Sequence, residues 1–172
     1  ISAEKAYTAN AYSLAGFAVS TANLYAPNAD NGGFYGLQFS NLMNPAVAYG
    51  NPSASGKSGG ATAKYGTEDD PMVGRILGGH IIFGGGFGLY TDGEDAGIVG
   101  GLGASGDTAC YDHAFAWLVR KNLGLDTVPA GVGANGSDNL VYKDGDLDGF
   151  EHVDCGFGET DFVNSLSDED EL

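Results

Sequence analysis

Few side chains in this sequence are spaced so that they could do chemistry together. Asp144-x-Asp146-x-Asp148-Gly149 puts three carboxylates and a glycine at positions 1, 3, 5 and 6 of a calcium-loop pattern. Hard oxygens converge on the cation there, and glycine permits the sharp turn. Position 12 of that pattern is Cys155 instead of a bidentate Glu, with Glu151 or Asp154 as possible substitutes. A solvated acidic turn is the competing reading. Cys110 and Cys155 form no C-x-x-C, which argues against a structural zinc motif; a disulfide is the expectation, two buried free thiols the alternative. His113, beside Asp112 and one turn inside a helix, is the candidate functional histidine. His80, opening a strand, reads more readily as a structural residue than as a ligand. Adjacent helical residues do not face each other, so Asp112 and His113 make no acid–base pair. Ser105 lacks the G-x-S-x-G spacing of a nucleophile elbow. No catalytic residue is assigned.

The stretch 97–125 must position most of these groups. Ile98, Val99 and Leu102 predict a strand, followed by a glycine-lined turn and an amphipathic helix with Asp107 at its N-cap. Cys110, Ala114, Trp117 and Leu118 recur at helical spacing, with Tyr111 and Phe115 widening the apolar stripe; His113 and Arg120 share the opposite face. Gly124 and Pro129 stop the helix. Gly101-x-Gly103-x-x-Gly106 has the wording of a dinucleotide fingerprint, but no second strand follows the helix to carry a ribose-binding acid. Glycines that let a strand pack tightly on a helix are the better reading.

Upstream, Ser2 is expected to cap an alanine-rich first helix that Gly16 ends, and 20–26 predicts one or two further helical turns. Residues 27–70 form a long polar loop whose Phe34, Tyr35, Phe39 and Tyr49 are expected to pin it to a surface. Gly56-Lys57-Ser58 lacks the rest of a phosphate loop. The run 78–90 predicts two strands around a glycine turn, giving three antiparallel strands with the one at Gly97. The fold class is therefore α+β, an antiparallel sheet flanked by helices, in one domain over 1–156 with an acidic tail over 157–172. Twenty-three acids against seven bases give a net charge of -16. That excludes nucleic acid and anionic membranes as partners, and no run reaches the length of a membrane span. Without an initiator Met, the chain reads as a processed product or a fragment.

Read together, Lys5–Ala9 (KAYTA), Val19–Ala26 (VSTANLYA), Phe34–Gln38 (FYGLQ), Asn44–Tyr49 (NPAVAY), Gly78–Phe83, Gly100–His113 (GGLGASGDTACYDH) and the closing F-x-H-x-x-C of Phe150–Cys155 resemble the GlcG/HbpS-type heme-binding family, in its secreted, cysteine-pair subgroup. The resemblance implies a periplasmic or extracellular location, self-association, and binding of heme or a related planar cofactor. His113 and His80 would be the nitrogen ligands, and Tyr111 or Tyr90 the phenolate ones. Members carry a further helix and two strands ahead of KAYTA. A homo-oligomer, or a second polypeptide that completes the sheet, is therefore expected. The alternative is a structural subunit of an extracellular assembly, with calcium as a candidate stabilising ion and no ligand chemistry.

Overall fold

The computed structural model describes residues 1–50, 64–93, 96–142, 147 and 149–166. In chain order it contains helices α1 (Ser2–Tyr12), α2 (Tyr25–Asn28), α3 (Leu37–Ser40) and α4 (Pro45–Ala48), strands β1 (Gly86–Thr91) and β2 (Gly97–Gly103), then α5 (Ala109–Asn122) and α6 (Thr160–Ser165). The class is α+β, with β1 and β2 paired antiparallel from Gly86↔Gly103 to Thr91↔Gly97.

Side chains alternate across a strand, and here the alternation separates two kinds of face. Gly86, Gly101 and Gly103 lie under α1. A Cβ at Gly101 would overlap the Ala6 carbonyl, and one at Gly103 the Ser2 carbonyl. These glycines bring helix backbone onto sheet backbone, the role expected of them, although the helix they admit is α1 and not the α5 that follows. Phe87 points the other way, its ring 4.4 Å from the His113 ring and 5.8 Å from that of Trp117 on α5. The sheet is thus held between α1 and α5.

Two strands form where the sequence predicts three. Among the described residues, 78–85 contributes one isolated bridge, Met43↔Gly78. Gly78, Gly79 and Gly85 adopt φ of 73°, 93° and 112°, left-handed conformations that break the extended run.

Helix α5 starts one residue later than expected. Thr108 is its N-cap, accepting from the Tyr111 N–H, while Asp107 Oδ1 accepts from the Thr108 N–H at 2.7 Å. Replacing Thr108 with alanine should lower stability by about 1 kcal/mol, and replacing Asp107 by less. Urea midpoints of the two variants decide the order, and equal losses would return Asp107 to the capping role.

The predicted apolar face of α5 is also corrected. Cys110, Ala114 and Ala116 are buried, but so are His113 and Arg120, whereas Phe115 is 63% exposed. Buried polar partners, described below, turn the helix this way.

The segment after α5 returns across the molecule. Tyr142 bridges His152, and α6 packs on α5 through Val163 and Leu166, which join Ala22, Cys110, Ala114 and Leu140 in one apolar cluster. Within the stretch read from sequence as an acidic tail, Val163 and Leu166 therefore belong to the core, while Phe162 is 43% exposed. In the loop after α2, Phe34 sets its ring 6.0 Å from that of Tyr12 on α1, whereas Tyr35, Phe39 and Tyr49 face solvent, so one of the four expected aromatics pins it. Its turns are otherwise held by polar groups, such as Asn44 Oδ1 accepting from the Ala46 N–H at 3.0 Å.

Candidate functional site

Three buried polar groupings surround the sheet. Lys5, fully buried on α1, donates to Asp112 Oδ2 at 2.8 Å and to the Ala104 carbonyl at 2.9 Å. The other Asp112 oxygen accepts from the N–H groups of Gly106 and Asp107, both at 2.9 Å. Asp112 thus ties α1 and α5 to the turn after β2. Burial lowers the Lys5 pKa, opposed by the hydrogen bond and charge of Asp112. Arg120 makes a two-pronged pair with Asp138 at 2.7 and 2.8 Å, donates to the Gly88 carbonyl at 3.1 Å, and lies over the Phe87 ring.

The third grouping holds histidines. His113 has no solvent exposure. Its Nε2 lies 3.1 Å from Asn139 Oδ1 and 3.0 Å from the Leu140 nitrogen, and its Nδ1 has no hydrogen-bond partner among the described residues. Burial first, then nearby His152, hold its pKa well below the ordinary 6.5. His152 is also buried; its Nδ1 donates to the Val153 carbonyl at 2.7 Å, and its Nε2 accepts from the Gly84 N–H at 3.3 Å. Burial lowers its pKa as well, against that carbonyl. His80 sits elsewhere, 3.1 Å from Asn28 Oδ1 and with its ring 5.2 Å from that of Tyr12; burial lowers its pKa too.

The nominated ligands are therefore not gathered into one set. His113 and His80 are enclosed and already hydrogen-bonded, Tyr90 donates to the Leu14 carbonyl at 2.8 Å, and Tyr111 alone of the four stands in the open. Cys110 and Cys155 are joined by a disulfide. Asp144, Asp146 and Asp148 lie outside the described residues, as does Lys57.

The accessible concavity is a groove of about 560 Å³ along the outer side of α5. Tyr111, Phe115, Leu118 and Val119 line one wall, with Leu102 and Phe162 beside them, and the turn 103–107 closes one end. Tyr111 and Phe162 place their ring centroids 6.5 Å apart. Among the described residues the lining includes Asp107 and Asp112 but no lysine or arginine. A second depression of about 340 Å³, beside the start of α1 between Met43, Tyr49 and Met72, contains none of the nominated ligands.

Sequence reasoning missed Lys5, Asp138, Asn139 and His152. Only His152 carried a local signal, three residues before Cys155. The others become partners through contacts between residues well separated in the chain, 18 positions for Arg120–Asp138, 26 for His113–Asn139 and 107 for Lys5–Asp112. Compared with protein-family models, curated proteins and solved structures, the chain matches none. No described helix is long and apolar enough to cross a membrane.

Proposed function

We propose that the protein is a binding protein for a planar, largely apolar cofactor of the heme class, secreted or periplasmic, and that the ligand lies in the groove along α5. The observation that carries this reading is the position of Tyr111. It is the one nominated ligand 38% exposed, and it lines an aromatic groove of the size that small-molecule sites usually have. A tyrosine can serve as an axial ligand to heme iron, and Phe115 and Phe162 offer ring surface to the macrocycle. The lack of cations in the lining requires heme propionates to point to solvent. This reading moves iron ligation from His113 to Tyr111, because His113 is enclosed and its Nε2 is engaged.

Hemin titration of the purified chain should give a saturable Soret change at one equivalent. Tyr111→Phe should alter that spectrum and weaken binding by about tenfold, roughly the worth of one 1.4 kcal/mol contact. A featureless titration, or a Tyr111→Phe spectrum identical to wild type, would sink the reading.

A second reading, assembly with another polypeptide, rests on a separate observation. Among the described residues β2 pairs only with β1, and Val99 on it is 57% exposed. A two-stranded sheet with an open edge invites a further strand. The mass in solution, measured by light scattering, tests it: a strict monomer at all concentrations speaks against an added strand from a second copy.

A further inference from the structure

We propose that Cys110, Cys155 and His152 form a redox-gated site for a thiophilic d10 cation, zinc above all, which opens when the disulfide is reduced. One potential ligand atom from each of the three residues falls within 4.8 Å of the others. In the oxidised chain the two sulfurs are bonded to each other and unavailable. Two thiolates bound to a tetrahedral zinc at about 2.3 Å sit about 3.8 Å apart, so cleavage need separate them only modestly to admit the ion. Two thiolates, one neutral imidazole and Zn²⁺ sum to zero charge, which suits a buried position. Water takes the fourth place. Sulfur and nitrogen ligands select zinc over calcium.

The surroundings already supply what such a site needs beyond its ligands. The Cys110 N–H donates to Cys155 Sγ at 3.2 Å, and the same bond would support a thiolate there. His152 Nδ1 donates to the Val153 carbonyl at 2.7 Å, which leaves Nε2 as the basic nitrogen of the ring; carbonyl-oriented imidazoles of this kind are common around metals. In the oxidised chain Nε2 accepts from the Gly84 N–H at 3.3 Å, a long bond that binding the ion would have to displace. Cys110 is the second residue of α5, where the helix N-terminus favours a negative sulfur.

Each ligand is also positioned by contacts other than the disulfide. His152 is fixed by its N–H to the Val141 carbonyl at 2.8 Å and by the Tyr25 ring at 4.9 Å. Cys110 is fixed by α5. Cys155 is held next to Asp154, whose carboxylate accepts from the Gly156 N–H at 2.7 Å and the Thr160 hydroxyl at 3.0 Å.

Opening the site is a two-electron step that a dithiol reductant can supply. A reductant thiolate attacks Cys155 Sγ, the sulfur of the less buried cysteine. The S–S bond breaks with its electron pair on Cys110 Sγ, and the mixed disulfide resolves to oxidised reductant and two cysteine thiols. Zinc then displaces two thiol protons to solvent.

Cobalt(II) is the probe. The protein is reduced with a phosphine, which ends as the phosphine oxide, and freed of excess reagent before titration. Reduced wild type should bind one cobalt with intense thiolate charge-transfer and tetrahedral d–d absorption, bleached by one equivalent of zinc. Oxidised protein should show neither band. His152→Gln should weaken cobalt binding by at least about 100-fold, more than the loss of an outer-shell partner usually costs. Reduced, folded protein with two titratable thiols and no such absorption would overturn the proposal. So would equal cobalt affinity in wild type and His152→Gln. Should that variant not fold, Cys110→Ala and Cys155→Ala replace it: each must abolish the charge-transfer band, and its survival in either overturns the site. If reduction unfolds the chain, zinc must restore the native far-UV spectrum, and failure to do so is equally decisive.

Discussion

Asp138→Ala is expected to lower the unfolding free energy by about 3–5 kcal/mol, the usual cost of stranding one member of a buried ion pair. Arg120 and Asp138 have 1% and 0% side-chain exposure, so water cannot replace the lost carboxylate. The guanidinium would keep its contact with the Gly88 carbonyl and its places over Phe87 and Trp117, 4.4 and 5.1 Å from the ring centroids. Those contacts hold it in the interior and prevent its escape to solvent. Removing both charges together, as Arg120→Met with Asp138→Leu, should cost less than Asp138→Ala alone, because no ion is left unpaired. Urea denaturation of the three proteins measures both terms. A single-variant loss under about 1 kcal/mol, or a double variant less stable than the single, would mean that the pair does not anchor α5.

Stability should also fall steeply on acidification below pH 6.5. All three histidines have native pKa values lowered by burial from 6.5. Above that value the histidines are neutral in both states, and their contribution to stability is fully present. Below it the unfolded chain takes up protons that the native chain refuses, so stability declines until the pH reaches the native pKa values. Each fully refused proton costs about 1.4 kcal/mol per pH unit, and His113, held well below 6.5, carries that cost over the widest range. The net charge of -16 acts in the opposite sense, since protonating carboxylates relieves repulsion. Half-molar salt, which screens that repulsion, isolates the histidine effect. Urea midpoints at pH 7.5, 6.5 and 5.5 read it out. His152→Gln should flatten the acid slope. A slope that is flat from 7.5 to 5.5 in wild type would contradict neutral burial of these rings.

The two effects share an origin in the way α5 is turned. By hydrophobic spacing alone, Tyr111 and Phe115 belong to the inner stripe and His113 and Arg120 to the outer face. The reverse holds because Asn139 and Asp138, more than fifteen residues downstream in the chain, reach back to satisfy the polar groups inside. With those groups inside, Tyr111 and Phe115 are left to form a groove. The feature best suited to holding a ligand is therefore a consequence of polar pairing in the core.

The sequence by itself determined the α+β class, the stop of α5, the close glycine packing on a helix and the candidate cysteine pairing. Each rests on local chemistry: φ freedom at glycine, apolar periodicity, or the presence of just two thiols. Helix α1, by contrast, ends at Tyr12, with Ser13 extended, ahead of the expected Gly16. Tertiary structure decided which face of α5 is buried, that 78–85 does not make a third strand, that Val163 and Leu166 join the core, and that His152 stands beside the disulfide. Those outcomes depend on hydrogen-bond partners and steric neighbours far away in the chain, such as Lys5 for Asp112, and a periodicity read along the sequence carries no information about them. Burial of a charged or polar side chain is decided by whether a partner arrives in space.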